Sequence, residues 1–192
     1  MKKINLFLAS SNELKADREA FEIQIYRKTK SWFDKGVFLH LDIWEDRSAQ
    51  MSPTRSQDEY NKVIQSETDV FILLAHTKVG MFTAEEFEQA FGKFQVAQKP
   101  FIFIYFKNVP DDHDNKSLKD FKQKIWDLEH FAGRYSDFND LWNQFNKELD
   151  RLEADDFMKN DFEKQTSGKR IIQQGDKSVY IEKGDGINFT IN

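Results

Sequence analysis

Cysteine is absent from this sequence. That removes disulfides, thiolate nucleophiles and thiolate metal sites from consideration, and it fits a reducing compartment, so a cytoplasmic location is expected. Net positive charge is lacking too. Lysine and arginine number 28 against 33 aspartates and glutamates, a formal net charge of -5. No global positive field therefore draws the chain toward nucleic acid or an anionic membrane. Long apolar runs are missing as well. The stretches at 4–9, 70–75 and 101–106 are far shorter than the ~20 residues a bilayer crossing needs, and the first is too short for a signal-peptide core. The expectation is a soluble chain with no membrane and no direct nucleic-acid partner.

Several chemical signatures are also missing. Neither GxxxxGK[ST] nor GxGxxG occurs, so the ready-made phosphate cradles are excluded. No GxSxG elbow marks a serine hydrolase. His40, His76, His113 and His130 lie apart, without HExxH spacing, and no metal site is expected. A phosphoreceiver domain needs acidic residues just after its first strand to hold magnesium, and Ala9-Ser10-Ser11 stands in that place.

What is present is a chain of 192 residues, long enough for one domain with a substantial core. Its 19 phenylalanines suggest that aromatic packing supplies much of the burial. Apolar residues 4–9 read as a strand and run into Ser10-Ser11-Asn12-Glu13, which has the form of a capping box. Leu14, Phe21 and Ile25 then recur at helical spacing until Gly36. A second strand is expected over 37–44 and a helix over 54–67, with Tyr60, Val63 and Ile64 facing inward. A third strand is expected over 69–75. The next helix is expected to open at Thr83-Ala84-Glu85-Glu86, again a capping-box pattern, with Phe87, Ala90, Phe91 and Phe94 inside. A fourth strand over 101–106, a helix over 118–129, a weak strand near 134–136 and an amphipathic helix through Phe138, Leu141, Trp142, Phe145, Leu149 and Leu152 complete the series.

Doubly apolar strands alternating with helices indicate an α/β fold: an open, doubly wound, mostly parallel sheet of about five strands. This domain is expected to span 1–153, followed by a charged linker at 154–168 and a short β-hairpin-like tail at 169–192. In the tail Val179 and Ile181, then Ile187, Phe189 and Ile191, alternate about a turn signal at Lys183-Gly184-Asp185-Gly186. So small a β unit needs a partner, either the main domain, another copy or another protein's sheet edge. Open parallel sheets bind ligands beyond the carboxyl ends of their strands. That rule nominates Ser10, Ser11, residues 44–46, His76, Thr77 and residues 106–108.

Four strings carry a resemblance: Leu8-Ala9-Ser10-Ser11, Ile43-Trp44-Glu45-Asp46, Asp69-Val70-Phe71-Ile72-Leu73-Leu74, and Phe82-Thr83-Ala84-Glu85-Glu86-Phe87-Glu88-Gln89-Ala90. In this order, over about residues 3–152, they resemble the bacterial Toll/interleukin-1 receptor (TIR) and TIR-like domains. In TIR enzymes an aromatic residue precedes the catalytic glutamate by four positions, and an alanine commonly follows it by four. Phe82, Glu86 and Ala90 meet that pattern, whereas Glu85 and Glu88 do not. Two departures stand out: Phe82 replaces the frequent tryptophan, and the first strand ends in Ala-Ser-Ser rather than the more usual Ser-Tyr or Ser-His.

The resemblance implies a flavodoxin-like TIR fold and an NAD-cleaving enzyme of bacterial anti-phage defence, acting as a glycohydrolase, cyclase or ADP-ribosyl transferase. NAD is then the substrate and no separate cofactor is implied. Glu86 becomes the catalytic residue, with Phe82, Ser10, Ser11, Trp44 and Lys107 as substrate-binding candidates. Self-association is expected through the 45–56 loop and the 169–192 tail, with a separately encoded sensor or effector as partner. The residues leave other roles open. Glu86 completes a capping box with Thr83, Phe82 suits a packed aromatic, and Ser10 suits a helix cap whose exposed amides would also hold a diphosphate. A non-catalytic TIR signalling and assembly domain, or a nucleoside deoxyribosyltransferase-like enzyme, are the alternative functions.

Overall fold

Six apolar side chains in a row form β3 (Val70–Ala75), and every one of them is buried. A strand with this character is stable only if both faces of its sheet are covered. The computed structural model, which describes residues 1–46, 56–108, 115–155, 157, 169–174 and 177–182, supplies that cover. Around β3 run β1 (Lys2–Ser10), α1 (Lys15–Phe33), β2 (Val37–Asp42), α2 (Ser56–Ser66), α3 (Met81–Ala97), β4 (Phe101–Lys107), α4 (Lys116–Asp127), β5 (Gly133–Tyr135) and α5 (Phe138–Ala154). The five strands are parallel and ordered β2-β1-β3-β4-β5. This is the flavodoxin-like order of an open, doubly wound sheet.

Two cores follow from strand alternation. Ile4, Leu6 and Leu8 of β1 join Val70, Ile72 and Leu74 of β3 under α1 and α5. Phe7 and Ala9 join Phe71, Leu73 and Ala75 under α3 and α4. Aromatic rings fill both layers. Phe21 and Phe145 approach to 5.0 Å between centroids on one side, and Phe87 meets Phe121 edge-on at 5.1 Å on the other. Gly36 takes a φ of 73° just after α1, where a side chain would be strained, and its carbonyl accepts from the Lys2 amide at 2.7 Å. The helix stop is thereby tied to the first strand.

Several boundaries differ from those expected. β2 ends at Asp42, and Trp44 lies beyond it in a single 3-10 turn, Trp44–Asp46. α3 starts at Met81 with Gly80 as N-cap, so Thr83 does not open it. The passage from β1 to α1 is a 3-10 turn, Asn12–Leu14, capped by Ser11 without a side-chain bond, and the capping box written in Ser10 and Glu13 does not form. Packing also continues past residue 153. Phe157, inside the expected linker, is buried and meets Phe101 at 4.9 Å.

In the tail β6 (Lys169–Gln174) and β7 (Lys177–Glu182) pair antiparallel, with Gln174 opposite Lys177. Their connection is residues 175–176. The turn expected at 183–186, the apolar positions 187, 189 and 191, and most of the 45–56 loop lie outside the described residues. Among the described residues no helix is long and apolar enough to cross a membrane.

Candidate functional site

In the order β2-β1-β3-β4-β5, the chain leaves β1 toward one edge and β3 toward the other, which opens a crevice at the carboxyl ends of those two strands. A cavity of about 480 Å³ lies there, within the roughly 300–1,000 Å³ typical of small-molecule sites. β1 supplies its floor through Phe7, Leu8 and Ser10, continued by Ser11 and Asn12. The turn after β2 supplies Trp44, and the connection from β3 supplies Lys78 and Gly80. The start of α3 closes the remaining side with Met81, Phe82, Thr83 and Glu86.

Glu86 occupies the second turn of α3 and is only 6 % exposed. With Gly80 as N-cap, Glu86 is the sixth helical residue, too far along to bond back to a cap as a third residue would. The capping reading of Thr83 and Glu86 therefore gives way to a carboxylate that lines the cavity. Phe82 is 51 % exposed and Trp44 42 %, so neither ring is packed away, and both are cavity-lining aromatics. Gly80 offers no side-chain cap and the first turn of α3 carries no acidic residue. Among the described residues, therefore, neither the N-cap residue nor an acidic first-turn residue caps the amides that open this long helix beside the cavity, the arrangement that suits an anion. This role was expected at the helix start after Ser10, where the first helical segment is a three-residue turn, Asn12–Leu14.

Ser10 and Ser11 serve the wall of the cavity through a residue the sequence reading passed over. Arg18 of α1 is completely buried. Its Nη1 donates to Ser10 Oγ at 2.6 Å and to the Ser11 carbonyl at 2.8 Å, while Nε and Nη2 both reach Glu45, the latter at 2.7 Å. The guanidinium also lies 5.6 Å from the centre of the Trp44 ring. One cation thereby fixes the ends of β1 and β2 and orients the exposed indole. The signal was in the sequence: Leu14, Arg18, Phe21 and Ile25 form one inward stripe at helical spacing, and a charge on such a stripe must find buried partners.

Lys107 lies elsewhere. Its Nζ binds both oxygens of the buried Asp17, at 2.9 and 3.2 Å, and the Tyr135 hydroxyl donates to the same carboxylate at 2.9 Å. Burial, reinforced by the adjacent Asp17 charge, pushes the Tyr135 phenol well above its usual range. This cluster ties α1 to β4 and β5, and among the described residues the cation lining the cavity is Lys78. Glu13, expected in a cap, reaches across to the connection after β3. It accepts from Thr77 Oγ1 at 2.5 Å and from the Thr77 and Lys78 amides at 3.1 and 3.3 Å. Burial disfavours its charge, but these bonds and one from Ser11 outweigh that and hold its pKa below the ordinary 4.5. His76 Nδ1 is 3.7 Å from the same carboxylate.

Ser10, Ser11, Trp44, Phe82 and Glu86 thus share one cavity, and Lys107 does not. No family model matches the chain, and no curated protein matches it.

Proposed function

We propose that the chain is a TIR-type enzyme that cleaves the bond between nicotinamide and ribose in NAD, with Glu86 as its catalytic carboxylate. The observation that carries this reading is the single buried glutamate in a crevice at the β1/β3 switch point, accompanied by two exposed aromatic rings and an uncapped helix start. A nucleotide would use each part. Phe82 and Trp44 offer faces for a flat base, with stacking on the order of 1 kcal/mol. The α3 amides and Lys78 suit a diphosphate. Glu86 would hold the ribose hydroxyls and stabilise the positive charge that develops at C1′.

One carboxylate is enough for this chemistry. The electron pair of the C1′–N bond leaves with the pyridinium, which becomes neutral nicotinamide, so no general acid is needed, unlike in ordinary glycoside cleavage. Water then adds to C1′ and gives up its proton to Glu86 and on to solvent. A ring nitrogen of the same ligand at C1′ would give cyclisation instead. Clustering through the 45–56 loop, which begins beside Trp44, is the route by which assembly would activate the site in anti-phage defence.

The test is product analysis by mass spectrometry after incubating concentrated protein with NAD. Nicotinamide release is expected, and Glu86→Gln should lower it by about 100-fold or more while the thermal midpoint stays within a few degrees. Equal turnover by the variant overturns the assignment of Glu86. Oligomers that form without any turnover favour the non-catalytic assembly domain, and release of free base from deoxynucleosides favours the deoxyribosyltransferase-like reading.

A further inference from the structure

A hydroxyl taken out of water needs a partner, because burying it unbonded costs free energy. Tyr105 of β4 and Tyr135 of β5 are both buried on the face of the sheet toward α1 and α5. Tyr135 meets the requirement through Asp17. Tyr105 is 5 % exposed, and among the described residues nothing bonds its hydroxyl. Burial chiefly, and then the Glu148 charge, raise its phenol well above the usual range against the opposing effect of Arg151. The group is therefore a proton donor at neutral pH, held close to these two residues of α5.

Gly133 sets the place of the ring. It lies opposite Tyr105 in the ladder, and a Cβ there would come within 2.5 Å of Tyr105 Cδ1 and 2.9 Å of Gln144 Oε1. Glycine thus leaves room for the ring to lie across β5 toward α5. There Tyr105 lines a cleft of about 400 Å³, within the range of small-molecule sites. Phe103 and the fully exposed Phe131 give it apolar walls, and α5 contributes Gln144, Lys147, Glu148 and Arg151. These four recur at the spacing that places them on one face of the helix. Glu148 binds Arg151, so the charge left over on this face is that of Lys147.

We infer that this cleft is a second ligand site, which takes a small planar carboxylate such as an aromatic monoacid. The Tyr105 hydroxyl donates to a carboxylate oxygen, Lys147 balances the negative charge, and the ring of the acid lies against Phe131 and Phe103. Glu148 beside the phenol opposes a dianion, which sets a carboxylate ahead of a phosphate ester. The cleft shares no lining residue with the cavity that holds Glu86, so the two sites bind independently of one another's contacts.

Titration of the full chain with sodium benzoate, followed through amide chemical shifts, tests this. The Ala132, Gly133 and Gln144 amides should shift along a saturating curve, while Gly80 and Met81 beside the Glu86 cavity stay in place. Tyr105→Phe removes a hydroxyl that bonds nothing in the described chain, so its thermal midpoint should be unchanged or raised, while its dissociation constant for benzoate rises roughly fivefold. Lys147→Gln should weaken benzoate as well, and benzamide, with the same ring and no charge, should bind more weakly than benzoate. Absence of a saturable shift at these three amides, shifts confined to Gly80 and Met81, or equal affinity in Tyr105→Phe overturns the inference. Equal binding of benzamide overturns the carboxylate. A lower midpoint in Tyr105→Phe also overturns it, because the hydroxyl would then have its partner inside the protein.

Discussion

Asp17 and Arg18 are neighbours in α1, and their side chains turn to different sites. Asp17 gathers Lys107 and Tyr135 at the far strands, while Arg18 gathers Ser10, Ser11 and Glu45 under the cavity. A buried cation with this many partners cannot be removed cheaply. Arg18→Met should cost roughly 3 kcal/mol in urea unfolding, because Glu45 and Ser10 lose their partner while the site loses its brace. Phe82 makes the opposite prediction. Half of it is exposed, so Phe82→Ala should leave stability nearly unchanged and raise KM for NAD roughly fivefold, matching a lost stack of about 1 kcal/mol. A fall in stability without a change in KM would return Phe82 to a packing role. Phe82 and Glu86 were found by their spacing, which sequence displays directly. Arg18 was missed because a charge in a helix reads by default as solvent-facing, and only its position between Leu14 and Phe21 argued otherwise.

At the scale of elements, the connection between β3 and α3 is held by a side chain from another turn. Glu13 accepts from Thr77 and Lys78, so protonating it should loosen the Gly80 start of α3. Because its pKa is depressed in the folded chain, the stabilisation is complete above the ordinary 4.5 and is lost as pH falls through the folded value. Urea unfolding between pH 7 and pH 3 should therefore show the natural protein losing more stability than Glu13→Gln, by a few tenths of a kcal/mol, about what hydrogen bonds to a carboxylate this exposed to solvent contribute. Identical pH dependence in the two would detach Glu13 from this role. The start of α3 also shows the limit of local signals. Thr83 and Glu86 have the residue types of a capping box, yet glycine is itself an accepted N-cap, and the helix begins one turn earlier, with the Ala84 amide donating to the Gly80 carbonyl at 2.9 Å. That single turn moves Glu86 from a cap to a cavity wall.

Across the whole molecule, the sheet order places the cavity, and Phe157 closes the opposite end. Its ring meets Phe101, and Lys2 donates to its carbonyl. Phe157→Ala should destabilise the domain by about 3 kcal/mol in urea unfolding, and an unchanged midpoint would place the end of the packed unit back near residue 153. Alternation of doubly apolar strands with amphipathic helices was enough to establish an α/β fold of about five parallel strands, since residues such as those of β3 are stable only between two helical layers. The same local patterns, read together with a family's spacing, singled out Phe82 and Glu86. Tertiary structure alone decided that Ser10, Ser11, Trp44, Phe82 and Glu86 share one cavity, that Lys107 belongs to Asp17, and that Arg18 supports the site. These depend on which side of β1 each later strand joins and on partners from distant elements meeting in space, and neither is written in the periodicity of any one segment.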